Sequence, residues 1–148
     1  MSERLQIRLL AMLLGAAGIA AVDQWVKLLV PTPDWAYHHR SEGWFALSAV
    51  LFICMVALAV LPSAAAALGA ALFAGGLLGN MVSAGTDDFY IPNPLLVGHT
   101  AGIAFNVADV GIVAGNLTLV LACSILAIRH RSQIEAWRGS MRTRLRGR

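Results

Sequence analysis

Charge is what this chain has least of. Of its 148 residues only 13% are Asp, Glu, Lys or Arg, while 58% are hydrophobic and the mean hydropathy is +0.70. Such a composition excludes an ordinary soluble domain and implies an integral membrane protein. Cysteine is nearly missing as well. Cys54 and Cys123 both fall within apolar runs, so no disulfide framework exists and both read as small buried hydrophobes. The histidines are one adjacent pair, His38 and His39, and two isolated residues, His99 and His130, with no metal-ligand spacing among them. No metal or other cofactor is expected. Outside the C-terminal tail no basic or aromatic surface suits nucleic acid, which is a poor partner. Internal repeats are absent, and the Ala run is the only low-complexity segment.

What remains is hydrocarbon in four blocks. The spans are expected at about 9–30, 44–61, 64–82 and 103–128, within residues 1–130, giving an all-α bundle of four transmembrane helices. The first block begins as a cleavable signal peptide would, with a basic segment ahead of Leu9 to Val22. It resumes after Asp23-Gln24, however, and Leu9 to Val30 rises about 33 Å, enough to cross a bilayer. Of eleven Lys and Arg residues, Arg4 and Arg8 precede the first block and Arg129, Arg131, Arg138, Arg142, Arg144, Arg146 and Arg148 follow the last. That bias places both termini in the cytoplasm and Pro31 to Gly43, with its interfacial Trp35 and Tyr37, outside. In residues 131–148, Ile134, Trp137, Met141 and Leu145 recur among arginines, the pattern of a basic amphipathic tail that docks on lipid or frays. The His38-His39-Arg40 run reads as a solvated or headgroup-facing patch.

Against that background the few polar residues inside the spans stand out, since a charge at the membrane centre costs roughly 2.5 to 3.5 kcal/mol on insertion scales. Asp23 and Lys27 are four apart, on one helix face and in the favourable order for pairing. Such a pair is either purely structural or a prop for a neighbouring site. In the third span Gly75 and Gly79 allow close helix approach, while Gly76, Asn80 and Ser83 form a polar stripe. An irregular loop from Ala84 to about Gly102 carries Asp87 and Asp88. In the fourth span Asn106, Asp109 and Asn116 give the outer half a polar face, with Asp109 about 9 Å inside the helix start.

With both termini inside, Asp88 and Asp109 can meet at the outer membrane surface. Two carboxylates held close in a poorly hydrated site cannot both ionise readily; one keeps a proton while the other accepts one. That pair can activate water against a peptide carbonyl and protonate the leaving group, with Asn80 and Asn106 orienting the peptide or steadying the dyad. Two aspartates could equally form an ion path or bind an arginine of a partner membrane protein.

Several stretches resemble one family. Gly75-Gly76-Leu77-Leu78-Gly79-Asn80 is similar to G-G-x-x-G-N, Asp88-Phe89 to the end of V-V-D-F, and Asp23-Gln24-Trp25-Val26-Lys27 to D-Q-x-x-K. Phe105-Asn106-Val107-Ala108-Asp109, with Ile112 and Gly115, is similar to F-N-x-A-D-x-x-I-x-x-G. These motifs occur, in the order in which this chain carries them, in the lipoprotein signal peptidases, signal peptidase II. The resemblance implies a four-span aspartic endopeptidase of the bacterial cytoplasmic membrane, facing outward. Its substrate would be a prolipoprotein cut before its diacylglyceryl-modified Cys, reached through the lipid. Catalysis would fall to Asp88 and Asp109, with support from Asn80, Asn106, Asp23 and Lys27. Where the family continues G-N-x-x-D-R, this chain has Ser83 and Ala84, and the family's N-x-G-x-A-F is reduced to Ser41-Glu42-Gly43 and Phe45. The first loop is short where the family builds a β-cradle. A noncatalytic relative that binds lipidated or signal-type helices is the alternative, and a small ion-coupled transporter a third class.

Overall fold

A computed structural model describes residues 3–58, 60–98 and 102–131. The amphipathic reading of the tail and the loop residue His99 lie outside the described residues. Among the described residues there are four helices: α1 (Glu3–Leu29), α2 (Glu42–Leu58), α3 (Ala64–Thr86) and α4 (Val107–Arg129). Helices α1, α3 and α4 are each long and apolar enough to cross a membrane; α2 is equally apolar but has 17 residues. The protein is a helical membrane protein.

Helix α3 is the hub, packing against the other three. Its composition explains why. Ala66, Ala70, Ala71 and Ala74 are buried with Gly69, Gly75, Gly76 and Gly79, a surface of small residues on which larger neighbours can lie close. Met12 and Ala16 of α1, Met55 of α2 and Leu119 of α4 complete the core. Lipid offers no hydrophobic drive between helices, so close packing and hydrogen bonds must hold them. At Gly76 a Cβ would run into the Ala108 carbonyl and sit 2.7 Å from Ile112 Cγ1. Gly76→Ala is therefore expected to lose about 1–3 kcal/mol by overpacking, checked by thermal unfolding in detergent. A parent-like melting temperature would show that α3 and α4 pack less closely than described.

The helix ends are marked in the sequence. Ser63 caps α3, its Oγ accepting from the Ala66 N–H at 3.2 Å, and the Arg8 guanidinium donates to the Leu61 carbonyl at 2.8 Å, pinning the α2–α3 turn to α1. At the opposite end of the bundle the connections are not wholly irregular. A 3-10 turn (Asp34–Ala36) leads into β1 (Tyr37–His39), which pairs antiparallel with β2 (Tyr90–Pro92) in the register Tyr37↔Pro92 and His39↔Tyr90. Strands β3 (Leu95–Val97) and β4 (Ile103–Phe105) form a second antiparallel pair.

Three expectations from sequence change accordingly. Helix α3 runs on to Thr86, past the expected end at Val82, so Ser83 and Ala84 are helical and buried. Ile103–Phe105, apolar enough to pass for helix, pairs as a strand, and α4 starts only at Val107. Cys54 and Cys123 are exposed on the outer surface of the bundle, because α2 and α4 each turn one apolar face outward; they are not core residues.

Candidate functional site

The late start of α4 sets the geometry of the site. Asp109 is the third residue of that helix, not a group 9 Å within it, and forms a capping box with Asn106. The Asn106 Oδ1 accepts from the Asp109 N–H at 2.9 Å, and Asp109 Oδ2 accepts from the Asn106 N–H at 3.2 Å. Asn80 of α3 donates its Nδ2 to Asp109 Oδ1 at 3.1 Å. Both oxygens of this half-buried carboxylate are thus fixed, at a helix N-terminus where negative charge is favoured.

Beneath it lies a buried ionic cluster. Asp23, fully buried, pairs with Lys27 Nζ at 2.6 Å, and its other oxygen accepts from the Ala108 N–H of α4 at 2.8 Å. Lys27 has three N–H bonds to give, and the remaining two go to Ser83 Oγ at 2.9 Å and Asn80 Oδ1 at 3.2 Å. Gln24 donates to the Gly79 carbonyl at 2.8 Å and to Ser83 Oγ at 3.1 Å. A Cβ on Gly79 would lie 2.8 Å from Asp23 Oδ2, so the missing side chain is what lets the carboxylate lie against α3. The i, i+4 pair read from sequence is therefore joined to the site through Asn80. Ser83, where the resemblance would have an acid, accepts from Lys27 and Gln24 as a neutral group.

The other acids are placed differently. Asp87 caps the end of α3, its N–H donating to the Ser83 carbonyl at 3.0 Å. With Gln24, Lys27, Leu28, Ser83, Thr86 and Pro92 it lines a cavity of about 250 Å³. Asp88 is exposed and forms no hydrogen bond or ion pair among the described residues, so the expected pairing with Asp109 is not made as a direct bond. Its backbone is unusual: Asp88 and Phe89 have φ of 46° and 65°, left-handed values that cost non-glycine residues roughly 1–2 kcal/mol each. Bonds from Phe89 N–H to the Ala84 carbonyl at 2.9 Å and from Arg40 N–H to the Phe89 carbonyl at 2.8 Å hold the turn. Phe89 also meets Phe45 edge-on at 6.3 Å. Strain kept in place by surrounding structure is a mark of functional turns.

On the outward side of α4 an apolar groove of about 350 Å³ begins at Asp109 and runs along Phe105, Val110, Val113, Ala114 and Leu117. Among the described residues no three His, Cys, Asp or Glu side chains come together as a metal site requires. Asn116 is exposed and stands apart from the Asn80, Asn106 and Asp109 group. One buried contributor escapes sequence reading, Asn93, which accepts from Asn106 Nδ2 at 2.6 Å and sits between two prolines that read only as loop; Gln24, which the sequence marks only through its motif, is half-buried. His38, read as part of a solvated patch, is exposed yet bonded through Nδ1 to Asn93 Nδ2 at 3.0 Å.

This arrangement defines a helical membrane protein with a buried polar cluster at one end of its bundle. The chain matches no family model and no curated protein. Two solved structures share its fold. One, described as a bacterial membrane enzyme solved by the in meso method at 2.3 Å, is 14% identical, with 83% of this chain and 90% of that chain covered and a TM-score of 0.60. A second of the same description, at 1.9 Å, is 16% identical, covering 76% and 92%, with a TM-score of 0.56. At these identities the likeness is one of fold.

Proposed function

We propose that this protein is an aspartic endopeptidase of the bacterial cytoplasmic membrane, cutting signal-type helices from diacylglyceryl-modified precursor proteins. The observation that carries the reading is the Asp109 carboxylate. It is fixed by Asn80 and Asn106 at the head of an apolar groove open along the outside of α4. A signal helix or acyl chain lying in that groove would bring a peptide carbonyl to Asp109 from within the lipid. The second acid would come from the strained turn: Asp88 is exposed, and a water held between it and Asp109 would share the proton traffic that such pairs use. Both termini then lie in the cytoplasm and the site faces outward. The fold shared with solved bacterial membrane enzymes supports an enzymatic reading.

A noncatalytic binder of the same helices is the second reading. It is favoured by the absence of a direct Asp88–Asp109 bond and by Ser83-Ala84 standing where the resembling family has its Asp-Arg pair.

Cleavage of a diacylglyceryl-modified precursor by the purified protein tests the proposal, with the two neighbouring acids exchanged one at a time. Asp88→Asn is expected to lower cleavage roughly a hundredfold or more, as loss of an acid–base partner does, with Asp87→Asn near the parent. The reverse order would transfer the role to Asp87, which lines a cavity with Lys27. Equal activity in both would exclude a dyad drawn from this turn.

A further inference from the structure

A line of side-chain hydrogen bonds leaves Asp109 and ends at the surface of the β1–β2 pair. Asp109 Oδ1 accepts from Asn80 Nδ2 at 3.1 Å, Asn80 Oδ1 from Asn106 Nδ2 at 3.0 Å, Asn93 Oδ1 from Asn106 Nδ2 at 2.6 Å, and Asn93 Nδ2 meets His38 Nδ1 at 3.0 Å. The direction of every bond is forced. The Asp109 N–H can only donate, so the Asn106 atom facing it is Oδ1; the Pro92 carbonyl can only accept, and it lies 3.3 Å from the other atom, Nδ2. Asn106 is therefore pinned with its amide nitrogen toward Asn93, which must answer with Oδ1. That leaves Asn93 Nδ2 for His38, whose Nδ1 must then accept. Only the neutral ring with its proton on Nε2 can do so. A proton on Nδ1 would set two donors against each other, and no amide flip relieves them while Asn106 is held by Asp109 and Pro92.

We propose that His38 and Asn93 are positioning residues for Asp109: the exposed imidazole on β1 fixes Asn93, Asn93 fixes Asn106, and Asn106 with Asn80 fixes the carboxylate. The first extramembrane segment is thereby tied to the site by side chains, in addition to its strand pairing with β2. The kinetic part of this inference rests on the hydrolytic reading of Asp109; the hydrogen-bond part does not.

His38 is exposed, so its replacement leaves the packing of the bundle untouched. In the precursor assay His38→Ala is expected to lower kcat about tenfold with little change in KM, the worth of one well-placed hydrogen bond. His38→Asn, whose Oδ1 stands where Nδ1 stood, recovers most of that loss. A merely structural role would change the melting temperature and leave no such difference between the two variants. Nitrogen-15 NMR of the parent in detergent gives a readout independent of activity. The His38 ring is expected as the Nε2–H tautomer, and the Asn80 and Asn106 side-chain amides are expected to shift in His38→Ala and hold in His38→Asn. A Nδ1–H tautomer, or amide signals unchanged in His38→Ala, overturns the relay whether or not the parent cleaves. Cleavage lost in Asp109→Asn but parent-like in His38→Ala overturns it too, while leaving the hydrolase reading intact.

Discussion

Asp109→Asn is expected to abolish precursor cleavage, a fall of roughly a hundred- to ten-thousand-fold, in a protein that still folds. The reason lies in how the carboxylate is held. Asparagine can keep Oδ1 on the Asn106 N–H, but its amide nitrogen then faces Asn80 Nδ2, donor against donor. Asn80 cannot flip to relieve this, because its own Oδ1 accepts from Lys27 and from Asn106. The cost to folding is that of one mismatched hydrogen bond, on the order of 1 kcal/mol, while the group that would accept and return a proton is gone. Chemistry and stability should therefore separate. Parent-like cleavage by Asp109→Asn, measured by precursor mobility on gels, would remove Asp109 from the chemistry altogether.

The largest effect on stability is expected at Lys27. Replacing it with Met removes the ammonium 2.6 Å from a carboxylate that has no solvent exposure, and takes a donor from Ser83 and Asn80 at the same time. Breaking a buried pair from one side costs about 3–5 kcal/mol, because the surviving charge is left without compensation. The double variant Asp23→Asn/Lys27→Met should recover much of the loss, since it removes the stranded charge as well. Denaturant unfolding in micelles checks both. A Lys27→Met protein within about 1 kcal/mol of the parent would place the pair among ordinary exposed ion pairs, which are worth no more than that.

The polar cluster was legible in sequence to the extent that each member breaks an apolar helix. Asp23 and Lys27 announce themselves by four-residue spacing, and Asn80, Asn106 and Asp109 by standing where hydrocarbon should be. Helical periodicity also placed Asn80 and Ser83 on one face, and the structure has both accepting from Lys27. What hydropathy could not resolve was the boundary at Asn106. Ile103–Phe105 is as apolar as the helix that follows, and three-residue strands are too short to show alternation, so hydropathy starts the helix at Ile103 and puts Asp109 about 9 Å inside it, whereas Asp109 is a capping residue. The turn at Asp88-Phe89 was hidden for another reason: a left-handed conformation there carries no glycine to signal it. Asn93 and His38 were invisible because their role depends on β1 meeting β2 across about fifty residues of sequence, a contact that no local pattern encodes.

The reaction we propose is hydrolysis, at Asp109, of a peptide bond next to a lipid-bearing Cys. The most direct measurement is mass spectrometry of a diacylglyceryl-modified precursor after incubation with the purified protein in lipid nanodiscs. Two fragments are predicted, a free signal helix and a mature chain beginning at the modified Cys, with neither formed by the Asp109→Asn protein. A precursor that stays intact while binding the parent protein would contradict hydrolysis and leave a protein that holds such helices without cutting them.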